Sequence, residues 1–177
     1  MNNPIYFNIH THVFSRYCAP DKFLRVPLPK TLDPFAGFIK RFLEGGLSQK
    51  LIQLIARRSG SSLLERYIQF IQIGTQQSQN DVYGIMQNAY RSLKPDIRFV
   101  ILTMNMDYMD PSHSYHLNIN GQLKEIERLR LTYPNHVFPF LGIDPRHLQG
   151  QQLVNWAKDY LDRGSCFGLK LYPSLGF

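Results

Sequence analysis

The chain has 177 residues, enough for one domain with a sizeable core, and its 44% hydrophobic and 19% charged content excludes an intrinsically disordered polymer. No apolar run approaches the roughly 20 residues that span a bilayer, and no basic segment followed by an apolar core opens the chain, so neither a membrane span nor a signal peptide is expected. Cys18 and Cys166 are the only cysteines and lie far apart, which argues against a disulfide scaffold or a thiolate metal site and makes a cytoplasmic location the default expectation. The formal charge of +7 is spread over Lys40-Arg41, Arg57-Arg58, Lys124, Arg128, Arg130, Lys158 and Arg163. With no basic cluster and no stacking motif, neither nucleic acid nor membrane is expected as a partner, and a solvated helix face accounts for the charge.

In chain order, Ile5-Tyr6-Phe7-Asn8-Ile9 reads as a strand that runs into His10-Thr11-His12. Side chains two apart on a strand share a face, which groups Tyr6, Asn8, His10 and His12 against Ile5, Phe7, Ile9 and Thr11. Two imidazoles on one face at a strand end can chelate one divalent cation; the alternative is two ordinary strand histidines. Residues 15–34 hold Pro20, Pro27, Pro29 and Pro34 and read as an irregular loop. From Phe35 the pattern turns helical, with Leu47, Leu51, Leu54 and Ile55 on one stripe. After Gly60, Ser62 and Glu65 have capping-box spacing for a helix carrying Leu64, Tyr67, Ile68 and Ile71. Ser78 or Asn80 caps a further helix with Val82, Met86, Ala89, Tyr90 and Leu93, closed by Pro95. Together these helices read as an insertion over about residues 35–93. Its aromatic residues at 35, 38, 42, 67 and 70 pack its own core or roof a site above the first strand.

Three more strands follow, near 97–105, 136–143 and 167–172, alternating with helices at about 118–132 and 150–163. Leu123, Ile126 and Leu129 face inward on the first of these helices, and Leu153, Trp156, Ala157, Tyr160 and Leu161 on the second, which ends at Gly164. Strands alternating with helices imply parallel βα units with the helices outside a curved sheet and the chemistry at the C-terminal strand ends. The residues at those ends are His10 and His12, Asn105 and Asp107, Asp144, and Lys170 with Tyr172. His113, His116, His136 and His147 lie on or near connections and read as loop residues, and Cys166 as a buried apolar one.

The HTH at the first strand end, Phe99–Met109, Pro139–Arg146 and above all Phe167–Phe177 (FGLKLYPSLGF) resemble, in order, the first four barrel strands of the metal-dependent amidohydrolase superfamily. The similarity is to its amidohydrolase-related group, which also contains metal-dependent decarboxylases. It implies the N-terminal half of a TIM-like (β/α)8 barrel, with a helical insertion after the first strand. A full barrel needs about 250 residues, so the chain is expected to represent a truncated or split half. By the resemblance His10 and His12 are metal ligands, for zinc or else manganese, and the remaining ligands belong to strands five to eight. Asn8 stands where the family often has aspartate. Lys170 is a candidate for the family's bridging lysine, or else a lysine ion-paired with Asp107 or Asp144. Asp144 is a second catalytic candidate. Arg146 and Tyr172 are substrate-binding candidates, Arg146 as a guanidinium for a carboxylate or as half of a loop ion pair. The implied chemistry is hydrolysis of a C–N or C–O bond of a small-molecule substrate by metal-activated water. A decarboxylase, or a non-catalytic half-barrel acting as a binding or assembly module, stays open beside it. The chain alone is expected to be inactive, and either a second chain completing the barrel or a homo-oligomer is the expected assembly.

Overall fold

The computed structural model of the protein describes residues 4–18, 58, 60, 62–92, 96–109 and 117–173. The expected helix from Phe35 and the proline-rich stretch after Cys18 lie outside them, as do His113, His116 and Leu93. Two compact units are distinguished, one made of residues 1–20 and 77–177 and the other of residues 21–76. In the second unit, α1 (Ser62–Gly74) has Glu65 in its first turn and buries Ile68. Its end is tied down by the Thr75 hydroxyl and the Gln76 amide, both donating to the Gln72 carbonyl.

The first unit is built on four strands, β1 (Tyr6–Thr11), β2 (Ile97–Leu102), β3 (Val137–Ile143) and β4 (Gly168–Leu171). They pair in the order β1-β2-β3-β4, and every pairing is parallel. This is the order and direction that strand–helix alternation predicts. The crossovers carry α2 (Gln79–Arg91), α3 (Ile119–Thr132) and α4 (Gln151–Asp162). Ser78 caps α2 through a reciprocal capping box with Asp81, and Asn118 caps α3 by accepting from the Gly121 N–H. Gly164, at φ +69°, follows the end of α4 in the left-handed conformation that lets the chain turn back into β4.

α2 lies within the stretch expected as an insertion, yet it belongs to the sheet's own helical layer. Its Val82 and Tyr83 are buried with Val13, Phe99, Ile101, Ile126 and Val137, and Met86 and Tyr90 pack against that cluster. A second cluster joins Ile119, Leu123, Leu141, Ala157, Tyr160 and Cys166. Cys166 is buried there as the sequence predicts, and burial pushes its thiol up to about 12. The core therefore sits between the sheet's outer face and the helices, where the alternating residues of β2 and β3 meet the apolar stripes of α2, α3 and α4.

The sheet is curled. Adjacent strands lie about 4.8 Å apart, so β1 and β4 would stand about 14 Å apart in a flat sheet, with their side chains perpendicular to it. Yet the Tyr172 hydroxyl, just beyond β4, reaches 2.8 Å from Nε2 of His12, just beyond β1. Phe7 of β1 likewise meets Phe138 of β3 with ring centroids 5.6 Å apart, skipping the strand between them. Both contacts fall on the concave face, as in one half of a TIM-like barrel.

Candidate functional site

The first strand reaches its C-terminal end by a route that alternation alone does not foresee. Tyr6 pairs with Ile97 and Asn8 with Phe99, but Thr11 pairs with Ile101, so three steps in β1 oppose two in β2. One extra residue in a strand is a bulge, and it exchanges the faces of everything beyond it. Below the bulge Tyr6 and Asn8 share a face with Ile97 and Phe99, towards the helices. Asn8 Nδ2 donates to the Tyr90 hydroxyl of α2, and Asn8 Oδ1 accepts the His10 backbone N–H across the irregularity. Beyond it Thr11 faces the helices and is buried, so His10 and His12 turn to the concave face. The expectation that Tyr6 and Asn8 lie beside the two histidines is thereby corrected. Asn8 supports the site only through the backbone of His10.

His10 and His12 do come together. Their Nε2 atoms are 3.2 Å apart. Nδ1 of His12 lies 2.9 Å from the Leu102 carbonyl oxygen, which can only accept, so Nδ1 carries the proton and Nε2 presents its lone pair to the concave face. Two neighbours compete for that one lone pair: the Tyr172 hydroxyl at 2.8 Å and His10 Nε2 at 3.2 Å. The Phe14 ring stacks on His12 at 5.1 Å and fixes the imidazole plane. Burial lowers the His12 pKa below its ordinary 6.5; the Leu102 hydrogen bond opposes this, while the charges of His10 and Lys170 add to it.

The pair fits a metal ion as far as two ligands can. Two nitrogens each about 2.0–2.1 Å from a tetrahedral ion stand about 3.3–3.4 Å apart, close to the separation found here. A ring nitrogen held on a backbone carbonyl is also the usual way a metal-binding histidine is oriented. Among the described residues, no group of three or more histidine, cysteine or acidic side chains could hold a metal.

Lys170 and Tyr172 share the concave face with Gly168, as expected, since Gly168 pairs with Phe140 and Lys170 with Gly142. The Lys170 ammonium lies 4.6 Å from the Tyr172 ring centroid. Among the described residues it forms no ion pair, so the expected alternative of a bridge to Asp107 or Asp144 is corrected. Those carboxylates are engaged elsewhere. Asp107 accepts the Ile119 N–H at the start of α3, and burial raises its pKa. Asp144, fully buried, receives a forked contact from Arg146: Nε to Oδ1 at 2.9 Å and Nη2 to Oδ2 at 2.6 Å. Burial pushes the Asp144 carboxyl up, but the Arg146 hydrogen bonds and charge outweigh it and leave the pKa lowered. The loop ion pair read for Arg146 is formed.

Around that ion pair stand two residues that strand-end reasoning passed over. Tyr108 places its hydroxyl 3.4 Å from Nδ1 of His147, and its ring lies 5.4 Å from the Arg146 guanidinium carbon. His147, read from sequence as an ordinary loop residue, is half-buried and packs on Trp156 at 4.9 Å. Their signal was positional: Tyr108 follows β2, and His147 follows β3, by only a few residues. Asn105 is buried nearby in sequence, with Oδ1 accepting the Asp107 N–H and no partner for Nδ2 among the described residues. A recess of about 420 Å³ between α2 and α3, lined by Ser78, Glu125, Arg128 and Tyr133, lies in the helical layer and includes none of the strand-end residues.

Compared with family models, with curated proteins and with solved structures, the chain has no significant match.

Proposed function

We propose that the chain carries the first-strand metal ligands, His10 and His12, of an amidohydrolase-type barrel that hydrolyses a C–N or C–O bond. The observation that carries this reading is the convergence of the two Nε2 atoms at 3.2 Å, with the His12 tautomer set by Leu102. A divalent ion held there, zinc or manganese, supplies a Lewis acid and lowers the pKa of bound water. The chain's own residues do the rest. His12 stays neutral near pH 7 because burial depresses its pKa, which keeps its lone pair available. Lys170 adds a cation beside the site, suited to a negatively charged substrate group or to charge developing in the reaction. Asp144 and Arg146, locked to each other, stiffen the rim after β3.

Two imidazoles fall short of the three protein ligands common at catalytic zinc. This reading places further ligands on strands five to eight, in a companion segment or chain that completes the barrel. The test is to titrate the purified 177-residue chain with zinc and with manganese, following bound metal by chelator competition, then to assay amide and ester substrates. Expected are weak metal binding, lost in both His10→Ala and His12→Ala, and no turnover until strands five to eight are supplied. Metal binding that survives both substitutions would overturn the proposal, and so would no binding at all. Binding that remains without turnover in the completed assembly would leave a metal-binding module and remove the hydrolase.

A further inference from the structure

We infer that Tyr172 is a third protein ligand of this site, so that His10, His12 and the Tyr172 phenol oxygen together hold one divalent cation. The inference deepens the metal-pair reading and rests on it. Tyr172 reaches the histidines from the opposite side of the sheet: β4 is three strands from β1, yet the phenol oxygen lies 2.8 Å from His12 Nε2. That spacing is close to the distance between two donor atoms about 2.0–2.1 Å from one ion at near-right angles. The contact is also unsatisfactory as a purely protein arrangement. His12 Nε2 has one lone pair, and both the phenol O–H and His10 Nε2 are aimed at it. A cation among the three atoms resolves the conflict, since each then directs a lone pair at it.

One neighbour favours the phenolate form that ligation requires. On binding, the O–H bond breaks, the oxygen–metal bond forms and the proton passes to solvent. The Lys170 ammonium sits against the face of the same ring, where it stabilises the spreading negative charge. The phenolate in turn offsets the repulsion between that ammonium and an incoming metal. Pro173 follows Tyr172 and biases its backbone to the extended form, so the phenol projects from a restrained position at the strand end.

The experiment uses the full chain with zinc alone for affinity and copper(II) alone for spectroscopy. The wild-type protein is expected to show a visible phenolate-to-copper charge-transfer band. Tyr172→Phe should lose the band and bind zinc about tenfold or more weakly, a loss of the size that even outer-shell partners of a metal cause. Tyr172→His, which restores a donor atom without a phenol, should recover zinc affinity and still lack the band. His10→Ala and His12→Ala should abolish binding. Far-ultraviolet circular dichroism of each variant separates loss of a ligand from loss of the fold. If folded Tyr172→Phe binds zinc as tightly as wild type, or retains the copper band, Tyr172 is not a ligand, while the histidine pair stands. If wild type binds neither metal, both readings fall together.

Discussion

At the scale of single residues, the decisive contacts are those that fix protons. The Leu102 carbonyl sets the His12 tautomer, and the buried Asp144 carboxylate is ionised because Arg146 is forked on it. The two act on stability in the same direction. His12 has a folded pKa below 6.5, so its contribution is full above that value and is lost as pH falls through its folded pKa. Asp144 has a folded pKa below 3.8, so its contribution is full above 3.8 and is lost as pH falls through its folded pKa. The protein should therefore lose stability on acidification in two stages, the first below 6.5 and the second below 3.8. Arg146→Ala removes the compensating cation and leaves burial to dominate at Asp144. We expect it to cost about 2–4 kcal/mol at neutral pH, since one member of a buried pair is left behind. The deficit should shrink as pH falls, beginning above 3.8, because burial without Arg146 raises the carboxyl's pKa and it takes up a proton early. Denaturant unfolding of both proteins at neutral and acidic pH reads the difference. An Arg146→Ala deficit independent of pH would mean that the pair is not electrostatic in effect.

At the scale of elements, close packing between strand ends sets what the site can tolerate. Gly142 of β3 pairs with Lys170, and its N–H donates to the Thr103 hydroxyl just after β2 at 2.7 Å. A Cβ at position 142 would collide with the Thr103 carbonyl, whose carbon would lie only 2.8 Å away, and these are backbone atoms that cannot rotate aside. Gly142→Ala should cost about 2–3 kcal/mol by overpacking and shift Lys170 relative to Tyr172, visible as a lower melting temperature and weaker zinc binding. An unchanged melt would show that the β2–β3 junction yields easily. This junction also shows what the sequence discloses. The four strands, their parallel order and the helices α3 and α4 were readable because apolar residues recur at strand and helix periods. The inward faces of Leu123, Ile126 and Leu129 follow directly from that pattern. The bulge between Asn8 and Thr11 was not readable, because one inserted residue leaves the alternation looking intact while exchanging its faces. The convergence of His10 and His12 survived because the alternation from His10 through Thr11 to His12 is kept where the strand leaves the bulge. The tie of Tyr172 to His12 across the sheet depends on curl, which no local period encodes.

At the scale of the whole molecule, the sheet has two strands at its margins, and among the described residues neither β1 nor β4 has an outer partner. Ile9 is 72% exposed, and Leu169 and Leu171 are 48% and 55% exposed, so apolar side chains line both margins. Unpaired parallel edges with exposed apolar residues are templates for association. A formal charge of +7 opposes the meeting of two copies. The balance between these terms fixes the sign of a salt effect. Salt screens repulsion between exposed charges but leaves apolar burial and edge pairing in place. The protein should therefore self-associate with rising concentration, and more strongly as salt is added. Association driven by opposite charges would instead weaken. Ile9→Lys places a charge on the β1 margin at a largely exposed position, so it should reduce association with little effect on the monomer's stability; Leu171→Lys should do the same at β4. Sedimentation velocity across a salt series, with both variants beside the wild type, makes the comparison. Association that weakens with salt, or is unchanged by both lysines, would show that the strand margins are not what brings the copies together.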